Sequence, residues 1–382
     1  MTVAVVGAGI FGAAAALELG LRGHRVTLFD AEAVPAPRAA STDVSKAIRR
    51  VWYAGDKAGY VDLVERSADR WHAWERETGR HVLHRTGHLS ILSDAGPGSP
   101  PMYESVHLLR SRGAVEVQEL GTAALRRRFP QFTVADDEVG VYDPWGGYLE
   151  SAAAVRMIVD LADDAGVTVR ERTPVAAVEE RAGAVTVRAD NSEQAFDRVV
   201  VAAGAWIGRL LPELARPLTV TLQEMLLLPA PDPVAFSYPR MPTWGAEPGG
   251  EEWYGFPLLR EGSVKVARDR LGPAVDAEVD RAGTAAFAAD AEAMLRRRLP
   301  ALAGSAEAGG RICLYTMTPD AHFLIDRVPG TERLVVAGAG SGHAFKFGGV
   351  FGPLVAGVVE DRPDAAADPL RIGDRPDRWA DV

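Results

Sequence analysis

Cysteine, lysine and long apolar runs are all scarce in this chain of 382 residues. Its single cysteine, Cys313, excludes an internal disulfide framework. The sequence has no uninterrupted apolar stretch of about eighteen residues, and no apolar leader precedes the first predicted strand. These absences argue against secretion and against insertion into a membrane, so we expect a cytoplasmic protein.

Positive charge is also in short supply, with 42 lysines and arginines against 52 aspartates and glutamates. The net charge of −10 argues against a nucleic-acid partner, because binding to phosphates requires a basic face. Only four of the basic residues are lysines, namely Lys46, Lys57, Lys265 and Lys346. Each of them either marks a position that needs a compact point charge rather than a planar guanidinium, or was retained by chance.

The first thirty residues carry a complete strand–helix–strand dinucleotide fingerprint rather than an isolated glycine motif. Gly7 permits a tight turn, Gly9 lets a pyrophosphate approach the backbone, and Gly12 lets helix and strand pack closely. Phosphates would bind at the helix N-terminus, and the final acidic residue has the spacing of a carboxylate that bonds a ribose hydroxyl. The segments are Thr2–Val6, Gly7-Ala8-Gly9-Ile10-Phe11-Gly12, Ala13–Leu21, Arg25–Phe29 and Asp30.

Strands and helices alternate along the rest of the chain, which predicts an α/β architecture with an α+β second domain. We expect a discontinuous Rossmann-like nucleotide-binding domain into which a substrate domain, built on an antiparallel sheet, is inserted. The predicted boundaries are 1–85, 145–215 and 320–382 for the first domain, and 86–144 and 216–319 for the second. A ligand would bind in the cleft between the two domains.

Two further glycine-containing turns are candidates for cofactor contact. Arg198–Ala202 reads as a strand that ends in Ala203-Gly204-Ala205-Trp206, a turn typical of the second contact in flavoproteins with two dinucleotide domains. The alternative is a plain strand-to-helix turn. Near the end of the chain, Gly338-Ala339-Gly340-Ser341-Gly342 is predicted to open a last apolar helix that runs through Val358. The segment Trp244–Glu247 reads as a glycine-containing loop.

Four motifs together resemble monomeric sarcosine oxidase and, more broadly, the flavin-dependent amine oxidases that include N-methyltryptophan, pipecolate and fructosyl-amine oxidases. The resemblance extends over nearly the whole chain, and its most specific part is a C-x-Y-T run about thirty residues before a G-H-x-F-K-F run. It implies an FAD cofactor. The motifs are Gly7–Gly12, Ser41–Arg49, Cys313-Leu314-Tyr315-Thr316 and Gly342-His343-Ala344-Phe345-Lys346-Phe347.

The resemblance also implies roles for individual residues. Cys313 matches a cysteine that bonds the flavin 8-methyl group, although a lone cysteine is ordinarily a small buried hydrophobe. Arg49 and Lys346 match the two cations that hold the substrate carboxylate, and Lys265 matches the lysine that activates oxygen. Tyr254 and Tyr315 match aromatic residues of the pocket, the alternative being plain core. The expected cofactor-binding residues are Gly7, Ala8, Gly9, Ile10, Phe11, Gly12, Asp30, Ser41, Thr42, Lys46, Val175, Gly204, Trp206, Cys313, Gly340, Gly342, His343 and Lys346.

Two departures from sarcosine oxidase put sarcosine itself in doubt as the substrate. Lys46 replaces an arginine beside the flavin ring, as in fructosyl-amine and pipecolate or saccharopine oxidases. Asp269 replaces a histidine of the pocket. The glycine at position 245 could also widen the pocket.

Three hypotheses for the function follow. The first is an oxidase of a secondary or N-substituted amino acid that transfers hydride to the flavin and then electrons to O₂, giving an imine and hydrogen peroxide. The second is a dehydrogenase, or an oxidase of primary amino acids or hydroxy acids, on the same fold. The third is a nucleotide-binding protein without catalysis. We expect a monomer that binds a small amino acid or amine and no metal.

Overall fold

The computed structural model describes residues 1–96, 99–181, 183–247, 252–269, 271–305 and 310–372. The strands are β1 Thr2–Val6, β2 Arg25–Phe29, β3 Lys46–Ile48, β4 Leu83–His84, β5 His88–Ser93, β6 Gln118–Leu120, β7 Glu138–Asp143, β8 Gly147–Leu149, β9 Thr168–Arg170, β10 Val175–Arg181, β11 Ala184–Ala189, β12 Ser192–Phe196, β13 Arg198–Val201, β14 Thr219–Pro229, β15 Thr243–Ala246, β16 Trp253–Leu258, β17 Ser263–Arg268, β18 Gly310–Met317, β19 Leu324–Arg327 and β20 Leu334–Gly338. The helices are α1 Ile10–Leu21, α2 Tyr60–Thr78, α3 Ser99–Ser111, α4 Thr122–Arg128, α5 Ser151–Asp164, α6 Ile207–Leu210, α7 Ala285–Arg298 and α8 Gly348–Val359.

A six-stranded sheet carries the nucleotide fingerprint. Its order is β19-β20-β13-β1-β2-β9, and every neighbouring pair is parallel except β19 with β20. The central strands read as continuous apolar runs, as expected for parallel strands covered on both faces. Helix α1 packs against the neighbouring helices α5 and α8. A Cβ on Gly352 of α8 would lie 2.6 Å from the backbone oxygen of Ala14, so glycine permits this close approach of the two helices.

An eight-stranded sheet of order β18-β14-β17-β16-β15-β5-β7-β6 forms the second layer, and all its pairs are antiparallel except β15 with β5. Side chains alternate between its two faces. One face, which includes Val264, Val266 and Trp244, packs with α7 into an apolar core. The opposite face therefore carries the residues between them, Lys265 among them. We call this opposite face the site face.

Two three-stranded sheets complete the described part of the chain. The sheet β10-β11-β12 packs on the parallel sheet through Val185 and Phe196, and the sheet β3-β8-β4 lies beside the site face. The α/β fold class is thus as expected, while the domain boundaries stay a prediction. Among the described residues, no helix combines the length and the apolar character needed to cross a bilayer.

Three local predictions were wrong. Trp244–Glu247 is mostly strand β15 rather than loop, because it pairs with both β5 and β16. Strand β12 was missed, since its first four residues are exposed and only Phe196 at its end is buried. The last helix begins at Gly348 rather than directly after Gly342. The segment from Gly338 to Gly342 is a turn with positive φ at Ala339, Ser341 and Gly342, and left-handed residues of this kind do not form part of an α-helix. A 3-10 turn, Phe345–Phe347, then leads into α8.

Candidate active site

The glycine fingerprint forms a backbone cradle at the N-terminus of α1. Gly7 has φ +102°, and a Cβ there would lie 2.5 Å from the Ala202 oxygen. A Cβ on Gly12 would lie 1.8 Å from the Gly7 oxygen, so only glycine fits. Gly9 faces Ser41, whose Oγ accepts the Ile10 N–H at 3.0 Å. The open backbone and the positive end of the helix dipole make this a site for an anion such as a pyrophosphate.

A cavity of about 540 Å³ starts from this cradle, which is within the usual range for small-molecule sites. It extends from the acidic end of β2 to the turn after β20, and it is therefore shaped for an elongated ligand. It brings together residues from seven separate segments of the chain. The sequence-predicted residues that line it are Gly7, Gly9, Ile10, Phe11, Asp30, Ser41, Lys46, Val175, Gly204, Trp206, Tyr315, Gly340 and Gly342.

At one end of the cavity, Asp30 organises the loop that follows β2. One carboxylate oxygen accepts the Ala8 N–H at 2.7 Å and the other accepts the Glu32 N–H at 2.9 Å. Burial raises the pKa of Asp30, and these two hydrogen bonds act against that rise. The carboxylate lies at the position where a nucleotide ribose is expected.

The rim of the same end is a charged network that sequence reasoning missed. The Trp206 indole N–H donates to Glu278 at 2.6 Å, and Arg38 donates to both Glu278 and Glu32. The Arg38 guanidinium also lies over the Trp206 ring, 5.4 Å from its centroid. No signal in the linear sequence connects Arg38 with Glu278, which is 240 residues away.

At the other end, the site face brings four of the predicted catalytic and cofactor residues together. Tyr254 lies opposite Ala267, which is two residues from Lys265 and therefore on the same face of the sheet. On the neighbouring strands, Cys313 lies opposite Gln223. The Tyr254 and Tyr315 hydroxyls are 3.4 Å apart. Burial raises the pKa of both tyrosines, so both phenols are protonated near neutral pH.

Asp43 joins the two lysines of this region. Its carboxylate is 1% exposed, forms an ion pair with Lys265, and lies 3.2 Å from Lys46 Nζ. Lys265 Nζ also donates to the Ser45 carbonyl at 2.8 Å. Burial opposes ionisation of Asp43, but Lys265 and Lys46 more than offset it and lower its pKa. Burial lowers the pKa of Lys265 to about 8, against the attraction of Asp43. We call Asp43, Lys46 and Lys265 the buried charge triad.

Cys313 is 3% exposed and packs with Met225, Ala267 and the two site tyrosines rather than lining the cavity. Its Sγ lies 4.0 Å from Lys46 Nζ. Burial lowers the pKa of Lys46, but attraction from Cys313 and Asp43 outweighs this, so the net shift is upward and Lys46 stays charged. An ammonium at this distance stabilises negative charge on sulfur by Coulomb attraction.

Arg49 and Lys346 converge on the ring of Tyr53. The Arg49 guanidinium carbon and Lys346 Nζ lie 5.6 and 5.5 Å from the ring centroid. Arg49 donates to the Val51 carbonyl at 2.6 Å, and Lys346 to the His343 carbonyl at 2.8 Å. Within the described ranges, neither cation has a carboxylate within 4.0 Å. Burial and then repulsion from Arg49 lower the pKa of Lys346 well below its usual value.

The remaining predicted residues support the site from outside the cavity. His343 receives the Tyr53 hydroxyl on Nδ1 at 3.1 Å and donates from Nε2 to the Ala321 carbonyl at 3.0 Å, so both ring nitrogens already have partners. Thr42 donates to the Ala39 carbonyl at 2.9 Å and closes the turn before Asp43. Ala8 and Gly12 also act through the backbone, as described above. No group of three or more potential metal ligands occurs in the described part of the chain.

Sequence reasoning missed Asp43 and Tyr53 as site residues. Asp43 stands three residues before Lys46 in Ser-Thr-Asp-x-x-Lys, so the pairing of opposite charges was a usable signal. Tyr53 carries no such signal, because only the fold brings it between two cations.

Comparison with known proteins identifies the family of the chain. Residues 2–357 match the family described as FAD dependent oxidoreductase. The chain belongs to this family. It is similar to N-methyl-L-tryptophan oxidase of Citrobacter koseri, with 28% identity over 364 residues, which cover 94% of this chain and 95% of that protein. The resemblance read from the motifs is thereby confirmed, as are FAD and the oxidoreductase class.

Solved structures share the fold of this FAD dependent oxidoreductase. NikD, an unusual amino acid oxidase essential for nikkomycin biosynthesis, has a TM-score of 0.83 at 22% identity, with 97% of this chain and 96% of NikD covered. Fructosyl amine: oxygen oxidoreductase (Amadoriase I) of Aspergillus fumigatus has a TM-score of 0.81 at 22% identity, with 100% of this chain and 90% of that chain covered. At these identities the likeness concerns the fold alone.

The buried charge triad generates a prediction about stability. Asp43→Asn would leave the buried Lys265 ammonium, with the partly exposed Lys46 beside it, without its counter-charge, which costs about 3 to 5 kcal/mol. We expect the free energy of unfolding at pH 7, measured by urea denaturation, to fall by that amount. The matched control is Asp136→Asn, whose side chain is 97% exposed and which should change stability by less than about 0.5 kcal/mol.

The same triad sets the sign of an acid effect. Because the pKa of Asp43 is lowered below its ordinary 3.8, its stabilisation is fully present above that value and is lost as the pH falls through the folded-state pKa. The difference in the free energy of unfolding between the wild type and Asp43→Asn should therefore become smaller below about pH 4. Equal stability of the two proteins at pH 7 would show that the triad contributes nothing.

Proposed function

We propose that this protein is an FAD-dependent oxidase of secondary or N-substituted amino acids. The observation that carries the proposal is the pair of cations, Arg49 and Lys346, held against Tyr53 without a carboxylate partner among the described residues. Burying cations without a counter-ion is costly, so such a pair is suited to receive an anion from a ligand. A substrate carboxylate has the right charge and shape for a guanidinium with a neighbouring ammonium. The name of the N-methyl-L-tryptophan oxidase relative supports an N-substituted amino acid.

The residues present fit FAD. Gly7, Gly9 and the N-terminus of α1 would hold the pyrophosphate, Asp30 the ribose, and the turn at Gly340 and Gly342 the ring system. When bound, FAD supplies the electron acceptor that takes a hydride equivalent from the carbon next to nitrogen and passes the electrons on to O₂.

The chain's own contribution is orientation and charge. Arg49 and Lys346 would fix one end of the substrate, which converts a random encounter into a defined approach of the reacting carbon. Tyr254 and Tyr315, both protonated, offer neutral hydrogen bonds at the wall of the pocket. Asp269 exerts an upward effect on the pKa of Lys346, Tyr254 and Tyr315, so its negative charge reaches the same space as the cations. It could attract the amine end of the substrate.

Lys265 is proposed to provide the fixed positive charge that favours electron transfer to O₂. Its ammonium is 1% exposed and is held in place by Asp43 and the Ser45 carbonyl, so it is preorganised. Cys313 is proposed as the covalent attachment point of the flavin, supported by the neighbouring Lys46 ammonium. A monomeric state and a cytoplasmic location stay predictions from the sequence.

The carboxylate-binding role of Lys346 is tested by Lys346→Met. Loss of one buried charged partner costs about 3 to 4 kcal/mol, so we expect kcat/KM for N-methyl amino acids to fall by about 10²- to 10³-fold. The flavin content, read from absorbance near 450 nm, should be retained. Arg296→Met is the control, because Arg296 is 73% exposed on α7, which packs on the face of the sheet opposite the site face, and it should change kcat/KM by less than about twofold. An unchanged kcat/KM in Lys346→Met would contradict the proposed clamp.

The covalent link is tested by acid precipitation. The yellow colour of the wild type should stay with the protein pellet, because a thioether survives acid. In Cys313→Ser the flavin should pass into the supernatant. Colour in the wild-type supernatant would show that Cys313 does not tether the cofactor.

The role of Lys265 is tested by separating the two half-reactions in Lys265→Met. Reoxidation of the reduced flavin by air should slow by about 10²-fold or more, while anaerobic reduction by substrate changes far less, because the charge acts on the step with O₂. Stopped-flow absorbance measures both rates, and Arg296→Met on the exposed side of α7 again serves as the control. Unaffected reoxidation would favour a dehydrogenase that passes electrons to another carrier.

A further inference from the structure

One buried histidine on the site face has no part in the function proposed above. His88 lies on β5, is 3% exposed, and shares its face with Ser90. In the sheet, β5 is three strands from β17, which carries Lys265, and neighbouring strands are about 4.8 Å apart. Measured across the sheet, the strand of His88 is therefore about 14 Å from the strand of Lys265.

Hydrogen bonds determine which ring nitrogen of His88 carries the proton. The Thr243 hydroxyl donates to the Gly87 carbonyl at 2.8 Å, so its oxygen is left to accept. His88 Nδ1 lies 3.1 Å from that oxygen and must be the donor. The proton is thus on Nδ1, and Nε2 presents a lone pair.

The surroundings keep this imidazole neutral. Burial lowers the pKa of His88 well below its usual value, and the positive charges of Arg49 and Lys346 lower it further. Its Nε2 therefore acts as a hydrogen-bond acceptor and does not retain a proton. The positive charges of Arg49 and Lys346 therefore act on this ring.

The space beside Nε2 is open. A Cβ built on Gly245 would meet only His88 Nε2 and the Trp253 oxygen, both at 3.9 Å, among the described residues. On the same strand as His88, Ser90 accepts the Trp52 indole N–H at 3.1 Å. Trp52 has φ +74°, a strained conformation for a bulky residue, and such strain is commonly found where a side chain is needed in a functional site.

We propose that His88 is a specificity-determining residue, whose Nε2 accepts a hydrogen bond from a neutral N–H or O–H donor on the side chain of the bound amino acid. This inference rests on the proposed function and adds the substrate class. Gly245 leaves room for the donor, and Trp52 offers an aromatic wall next to it. A cationic side chain would be repelled by Arg49 and Lys346, so the donor must be uncharged.

The test compares two pairs of substrates that differ by one donor. These are N-methyl-L-tyrosine with N-methyl-L-phenylalanine, and N-methyl-L-tryptophan with its 1-methylindole analogue. The readout is anaerobic bleaching of the flavin against substrate concentration, which separates the apparent Kd from the reduction rate. In at least one pair, the wild type should bind the substrate that carries the donor with an apparent Kd about three- to tenfold lower than that of its partner. This ratio corresponds to one neutral hydrogen bond.

His88→Leu should abolish this preference, and His88→Gln should restore part of it, because the glutamine amide offers an acceptor near the position of Nε2. His107→Leu, the same change on the exposed side of α3, should leave the preference intact. Bleaching without any preference in the wild type, or a preference retained in His88→Leu, would overturn the role of His88 alone. No bleaching with any of the four compounds would overturn the proposed function, and the role of His88 with it.

Discussion

The site depends on one buried carboxylate held between two lysines. Asp43 belongs to the segment that follows the nucleotide-binding strand–helix–strand unit, whereas Lys265 stands on the eight-stranded sheet. Their contact therefore joins the segment after β2 to the eight-stranded sheet, at the point where a flavin ring is expected. Desolvation of three charged groups is expensive, and only mutual attraction together with the Ser45 carbonyl compensates for it. This desolvation cost occurs where the proposed function requires a fixed positive charge, at Lys265.

The four lysines of the chain are unevenly distributed, and the site explains the positions of three of them. Three of the four lysines lie in or beside the site, at positions where a point charge on a flexible stem can be buried and retain three donors. The surface uses arginine instead, as in the ion pairs of Arg38 at the rim of the cavity. Lysine is thus concentrated at the site, whereas arginine serves both at the surface and, as Arg49, in the site.

The strand–helix–strand fingerprint was predictable because its signals are local. Gly12 is required by a backbone contact within the motif and Gly7 by a contact with the residue that follows the adjoining strand β13, and apolar runs mark β1 and β2. The turn before α8 was mispredicted for the opposite reason. Ala339 and Ser341 adopt positive φ there, which neither residue type favours by itself, so tertiary contacts must impose it. Strand β15 likewise exists because two partners flank it.

The nucleotide-binding unit, the FAD dependent oxidoreductase family and many of the candidate site residues could be predicted from the sequence, since these follow from motifs and spacing. Only the tertiary structure decided which of those residues meet. It pairs Lys265 with Asp43 and brings Arg49 and Lys346 to the ring of Tyr53. It also places His88 on the face that carries Tyr254. Such contacts join residues up to about three hundred positions apart, and no periodicity or local propensity contains that information.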